Sequence, residues 1–455
     1  MNIGFLHYQL GGTDGVSLEI DKWKRVLEEM GHTVHYCAGD LGALGGTLIP
    51  EMYHHTPVAE RLYRNTFIAL ADYPGPESVG DYAAELESLV AIIEAKLRLW
   101  VEENQIDFLI PNNIWSVAAN PAVAPALAKV MRDYQLPTVA HSHDFYWERV
   151  DGVALTCAPA LELADRFLPP RDPLISHVVI NSLAQAALRE RKGIESTVVP
   201  NVFDFDADHG WGPDEYNADL RERIGLRESD LFILQATRIV PRKGIELAID
   251  FVQALGAPHC RARLEQEGLY DGRAFTPDSR IVFVLAGYAQ DDATGLYLGK
   301  LKRKIEESGV DALFIDEMVG GRRDLCDGRK IYSLWDTYVY ADFITYPSLW
   351  EGWGNQLLEA MYARLPFMLF EYPVYEADIK PSGIQAVSLG AETQGVDEQG
   401  LVRVAPEIIE AAADQAIDLL IDNGKRQAMT EHNFQMGRRH YSLAALRGYL
   451  EPLVG

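Results

Sequence analysis

YPSLWEGWGNQLLEA (346–360) reads as the end of a buried strand, a turn rich in glycine, and the start of a helix. The strand is DFITYP (342–347), the turn holds Glu351, Gly352, Trp353 and Gly354, and the helix begins near Asn355. Glycine lets a backbone approach a ligand closely. A helix start offers unpaired amides and the positive end of a dipole, which suit a diphosphate. Gly352, Trp353, Gly354, Asn355, Gln356 and Leu357 are therefore candidate donor-binding residues. Glu351 in the turn is placed to accept hydrogen bonds from sugar hydroxyls, and Glu359, eight residues further on in the helix, from a ribose. The plain alternative is a strand–turn–helix crossover with surface carboxylates. The paired glycines after a strand late in the chain favour binding.

A second stretch, QATRIVPRKGIELAID (235–250), has the same strand–turn–helix order. Arg238 and Lys243 flank a turn with Pro241 and Gly244. Two cations at such a junction can clamp a diphosphate, Arg through its planar fork and Lys as a point charge. Together these stretches resemble the retaining GT-B glycosyltransferases of family GT4, specifically in the second half of the chain and more loosely in the first. The resemblance implies that Arg238 and Lys243 bind the donor diphosphate, that Glu351 contacts the donor sugar, and that Glu359 holds the ribose. No DxD lies at a strand–loop junction, and Arg238, Lys243 and helix N-termini can neutralise the leaving diphosphate, so no metal is expected; a nucleotide diphosphate sugar is the co-substrate. The sequence departs from the pattern at Thr237, where Gly is usual, and at Trp353, where Phe is usual.

Two first-half features fall into place beside these. The loop Gly11, Gly12, Thr13, Asp14, Gly15 leads into a helix and resembles the family's first loop, which makes Gly12 and Gly15 candidates facing the donor phosphates. In HSHDFYW (141–147), His143 matches the histidine that reaches the donor sugar, and His141 is the alternative if the loop register differs. The expected catalytic set is His143, Arg238, Lys243 and Glu351.

Working outward, the chain alternates apolar runs with amphipathic segments. NIGFLHY, the glycine loop, VSLEIDKWKRVLEEM and HTVHYCAG form a βαβ unit, the seed of a doubly wound parallel sheet. Residues 40–80 break the rhythm with four prolines and several histidines and tyrosines, and read as an insertion near the mouth of the site. The rhythm resumes to STVVPN, and a polar stretch marks an interdomain connection. LFILQAT, IVFVLAG, ALFID, DFITYP and PFMLF then build a second sheet. The expected fold is α/β, GT-B: two Rossmann-like domains facing across a cleft. The first spans 1–205 on the acceptor side, the connection 206–228, and the nucleotide-sugar domain 229–432. A C-terminal helix, 433–455, is expected to return to the first domain.

The 455 residues carry a formal charge of -26. Nucleic-acid binding and docking on anionic lipid both need clustered basic residues, so neither partner is expected. Four cysteines with no CxxC pair fit neither a zinc site nor a disulfide framework and suit a reducing cytoplasm. The opening MNIGFLHYQL reads as a strand rather than a leader, and no apolar run reaches membrane-spanning length. Asp204–x–Asp206–x–Asp208 reads as a solvated acidic run in the connection, while His54–His55 and His141–x–His143 could suggest a metal-ligand set. The acidity points to a soluble, small hydroxyl acceptor such as a small sugar, a polyol or a hydroxy-acid, and the family resemblance includes enzymes that make glucosyl- or mannosyl-glycerate derivatives. A nucleotide-sugar epimerase, a phosphorylase and a non-catalytic sugar-nucleotide-binding protein are the rival readings. The retained cations and the EGWGNQLLE pattern favour transfer.

Overall fold

The computed structural model describes residues 1–12, 14–73, 75, 77–148, 152–288, 295–326 and 328–455. Thr13 of the glycine loop, and Pro74 and Pro76 of the insertion, lie outside them. The chain divides into two compact units, Met1–Val202 with Leu443–Gly455, and Phe203–Ser442.

The first unit is built on β1 (Asn2–His7), β2 (Thr33–Ala38), β3 (Thr47–Leu48), β4 (Phe108–Pro111), β5 (Thr138–Ser142), β6 (Ile175–Val179) and β7 (Ser196–Val198). They form one parallel sheet in the order β3-β2-β1-β4-β5-β6-β7. The order reverses beside β1, the doubly wound arrangement, which leaves ligand positions at the carboxyl ends of the strands. The central strands are apolar because helices cover both faces. One face packs against Ile93, Leu97 and Trp100 of the helix Ser78–Glu103. The other packs against Trp23, Val26 and Leu27 of the helix Gly15–Glu29, joined by Leu446, Leu450 and Val454 of the helix Leu443–Val454.

The second unit holds β8 (Leu231–Gln235), β9 (Ile281–Leu285), β10 (Asp311–Phe314), β11 (Val319–Gly320), β12 (Asp324–Cys326), β13 (Arg329–Ser333), β14 (Phe343–Tyr346), β15 (Phe367–Leu369) and β16 (Val387–Ser388). Six form a parallel sheet, β10-β9-β8-β14-β15-β16, and β11-β13-β12 form a separate small one. Strands β8 and β14 are neighbours, with Phe343 opposite Ile233. The two motif-bearing turns therefore leave adjacent strands at the same edge.

Three details differ from the sequence reading. Residues 206–228 cluster with the second unit. There Asp206 pairs with Arg438 at 2.6 Å, and Asp204 and Asp208 accept the backbone amides of Ala207 and Gly210, so the acidic run is tied into its own turns. The terminal helix is not continuous: it runs to Tyr441, breaks at Ser442 in extended backbone, and restarts at Leu443. Only the restarted part belongs with the first unit. Finally, the turn of the second stretch is itself partly helical, a 3-10 turn at Pro241–Lys243, and its helix begins at Ile245. Among the described residues, no helix is long and apolar enough to cross a membrane.

Candidate active site

In the second unit the two motif turns are stitched together. Leu349 N–H donates to Arg242 O at 2.8 Å. The Glu351 carboxylate is buried, 8 % exposed. It takes Lys243 Nζ on Oε1 and Arg242 Nη1 on Oε2, the latter at 2.7 Å. Arg242 also lies over the Trp350 ring. Burial alone would raise the Glu351 carboxyl. The charges of Lys243 and Arg242 outweigh it and hold the group below its ordinary value. Arg238 is half-buried and close enough for its charge to bear on Lys243. Two cations therefore meet on one carboxylate with a third beside them, and Arg242 is the member that the sequence reading did not single out.

Glu359 accepts the Tyr338 hydroxyl at 2.7 Å. Gly354 sits at φ 147°, just before the helix Asn355–Tyr362, and a Cβ there would come within 2.4 Å of the Tyr372 hydroxyl. That hydroxyl donates to Trp353 O at 2.5 Å. Trp353 is buried with its ring edge-on to Tyr441, and Gln356 and Leu357 are buried in the first helical turn while Gly352 and Asn355 are half-buried. Both departures from the family pattern have structural partners. Thr237 Oγ1 accepts Gln235 Nε2 at 2.5 Å, and Gln235 Oε1 in turn accepts Thr345 Oγ1 at 2.6 Å. The hydroxyl thus ties β8 to β14 beneath the turns.

In the first unit, His143 follows β5, and its backbone N–H donates to Asn113 Oδ1 at 2.7 Å. His141 is also buried, but its ring stacks on Trp23 at 4.2 Å and serves as packing for the helix Gly15–Glu29. The His143 ring lies 4.1 Å from that of His141. Burial drives the His143 pKa down to about 3, helped by the charges of His7 and Lys22 and opposed by Asp14. His143 is therefore neutral at neutral pH. Because its folded-state value lies below its ordinary 6.5, acid favours the unfolded chain as pH falls from 6.5 toward 3. The expected result is a His143 ring resonance that does not titrate between about pH 5 and 8. An inflection in that window, absent from His143→Asn, would mean that the ring is solvated.

The glycine loop differs from its expected role in one respect. Asp14 caps the helix Gly15–Glu29, accepting Val16 N at 3.1 Å, Ser17 N at 3.0 Å and Ser17 Oγ at 2.6 Å. Two of the first-turn amides that the sequence offered to a phosphate beside Gly12 and Gly15 are thus satisfied by a carboxylate. Nearby a cavity of about 560 Å³ is lined by His7, Tyr8, His54, Tyr63, Arg64 and Asn113, among others. His7 and Asn113 were not singled out from sequence. Their proximity to His143 follows from the adjacency of β1, β4 and β5.

Among the described residues, one group of potential metal ligands converges, His259, Cys260 and Asp414, within 4.8 Å of one another. It lies on the helices Pro258–Glu267 and Pro406–Ile421, away from the motif turns in sequence.

No family model matches the chain. It is 38 % identical over 456 residues to the mannosylglucosylglycerate synthase of Thermotoga maritima, covering all of both chains. It is 36 % identical over 447 residues to the mannosylglucosylglycerate synthase of Petrotoga mobilis, covering 98 % of this chain and all of that one. Among solved structures, a glycosyltransferase from Rickettsia africae superposes with a TM-score of 0.60 at 13 % identity, over 99 % of this chain and 97 % of that one.

Proposed function

The chain belongs to the mannosylglucosylglycerate synthase family and is a glycosyltransferase of GT-B fold; on that premise we propose that it transfers a mannosyl group from a nucleotide diphosphate mannose to glucosylglycerate, with retention at the anomeric carbon. The observation that carries the reading is the pairing of Lys243 and Arg242 with the buried Glu351, with the charge of Arg238 bearing on Lys243, in a chain aligned end to end with two such synthases.

The step needs no covalent enzyme intermediate. An acceptor hydroxyl oxygen attacks C1 on the face the diphosphate leaves. The C1–O bond to phosphate breaks, the new C1–O bond forms, and the hydroxyl proton passes to a phosphate oxygen. Negative charge grows on the departing diphosphate, so fixed cations there stabilise the transition state more than the ground state. Arg238 and Lys243 supply that charge. Glu351 orients Lys243 and, with the donor bound, reaches the sugar hydroxyls. Glu359, held by Tyr338, takes the ribose. A neutral His143 offers a hydrogen bond to the sugar without adding positive charge beside the anomeric carbon.

The test is direct. Purified protein is mixed with glucosylglycerate and each nucleotide diphosphate mannose, with excess chelator throughout. The expected product is mannosylglucosylglycerate whose new linkage keeps the donor's anomeric configuration, with one nucleoside diphosphate released per bond. An inverted product, or activity lost to chelator and restored by magnesium, would overturn the corresponding part of the reading.

A further inference from the structure

Residues 40–80 interrupt the βαβ rhythm, and the cavity of the first unit gives that interruption a use. The helix Pro57–Phe67 starts on Thr56, whose Oγ1 accepts Ala59 N at 3.2 Å, with Pro57 in its first turn. Glu60, Tyr63 and Arg64 stand three and four residues apart, so they share one face, and all three line the cavity. His54 and His55 precede the helix and line it too. The opposite wall comes from the sheet: His7 at the end of β1, and Asn113, the residue whose Oδ1 holds the His143 backbone. The insertion thus walls one side of an open pocket at the strand ends, which Asn113 links to the backbone of the candidate catalytic histidine.

Arg64 is exposed and paired. Its Nη2 donates to Asp72 at 3.1 Å. Asp72 also accepts Asn65 Nδ2 at 2.6 Å, and buried Asn65 returns its Oδ1 to the amides of Ala71 and Asp72. A guanidinium paired through one arm keeps further donors of its planar fork for a carboxylate. Glu60 stands in the same wall, engaged by His55 at 3.3 Å. Its negative charge opposes a doubly charged phosphate more than a singly charged acid. The pocket volume, about 560 Å³, is in the range of small-molecule sites.

We propose that this pocket binds the acceptor, with Arg64 anchoring the acceptor's carboxylate and the insertion thereby setting acceptor specificity. The proposal rests on the reading that the acceptor is glucosylglycerate. Hydroxyls of the glucosyl unit meet the polar wall of Glu60, Tyr63 and the histidines, and the carboxylate meets Arg64.

Wild type, Arg64→Gln and Arg64→Lys are compared with glucosylglycerate and with its uncharged analogue glucosylglycerol. Turnover is measured, and so is calorimetric binding of each compound in the presence of nucleoside diphosphate. Arg64→Gln is expected to raise KM and Kd for glucosylglycerate by about tenfold or more. It should leave glucosylglycerol, kcat and nucleoside diphosphate affinity near wild type, and Arg64→Lys should recover part of the loss. Equal losses for both compounds, or no loss for glucosylglycerate, would overturn the carboxylate assignment. A wild type that turns over neither compound would sink the functional reading, and the binding arm would still decide the pocket. An Arg64-dependent preference for the charged compound sustains the proposal, and its absence overturns it.

Discussion

Glu351→Gln is expected to destabilise the protein and stop transfer together. The substitution keeps the shape and removes one charge from a buried cluster. Lys243 and Glu351 have side chains only 10 % and 11 % exposed. A buried cation stripped of its partner cannot recover its hydration, and breaking such a pair costs about 3–5 kcal/mol. Arg242 makes the loss worse, because without the carboxylate two cations face one another. Denaturant unfolding should show the midpoint fall with unchanged slope, and single-turnover transfer should drop by roughly a hundredfold or more. The double variant Lys243→Met with Glu351→Leu separates the two effects. Replacing a buried pair by apolar groups is often neutral or better for stability, so the double variant should regain stability and no activity. If Glu351→Gln melts with wild type, the cluster is hydrated and no buried charge pair supports the fold. The wild-type pair also has a pH signature. The Glu351 carboxyl is held below its ordinary value, so its contribution is present above that value and lost as pH falls through the folded one. The Gln variant lacks that increment.

The second large effect belongs to a residue with no ligand contact in the proposed mechanism. Gly287 follows β9, and a Cβ there would lie 1.8 Å from Thr237 O and 2.9 Å from Arg238 N. Both are backbone atoms and cannot swing aside. The position lies between two ladder bonds, Ala286 N to Gln235 O and Ile239 N to Tyr288 O, each 3.0 Å. Gly287→Ala must prise the β8 turn off β9 and carry Arg238 with it. Overpacking of this kind costs about 1–3 kcal/mol or more. Displacing one charged donor from a diphosphate costs about 1.5–3 kcal/mol of affinity, so nucleoside diphosphate binding should weaken more than tenfold by calorimetry. A variant that binds the nucleotide normally would show that the placement of the Thr237–Arg238 backbone does not set diphosphate binding.

The parts of this architecture visible in the sequence are those with local physical signatures. LFILQ, IVFVL and FITY are continuous apolar runs because helices bury both faces of their sheet, and each is a strand in the structure. Strands of two or three residues, such as Thr47–Leu48 and Val387–Ser388, are too short to carry a period. The small sheet through Asp324–Cys326 and Arg329–Ser333 is hidden by its polar, largely exposed residues. Glu351 and Lys243 stood out because glycines flank them. Arg242 did not, since its partner lies far along the chain and only the pairing of β8 with β14 brings them together. His141 and His143 look alike in sequence, and the stacking of Trp23 on His141 became visible only in the structure. For the insertion, the Thr–Pro start of the helix Pro57–Phe67 was a readable signal. That its Arg64 faces a cavity was not.

The break at Ser442 has a bearing on how the protein is made. The first unit is assembled from both ends of the sequence: its sheet is finished by Ser196–Val198, yet Leu446, Leu450 and Val454 complete the cover over Ile3, Phe5 and Val26. Everything between, Phe203–Ser442, forms the other unit. At a ribosomal pace of about 5–20 residues per second, the first sheet waits on the order of ten to fifty seconds for its last helix. During that interval an apolar strip beside the helix Gly15–Glu29 stands open to water, while the second unit emerges as one uninterrupted run and can close its own core first. Nascent chains held short of residue 443 would therefore present that strip to chaperones, and release of the final segment would withdraw it.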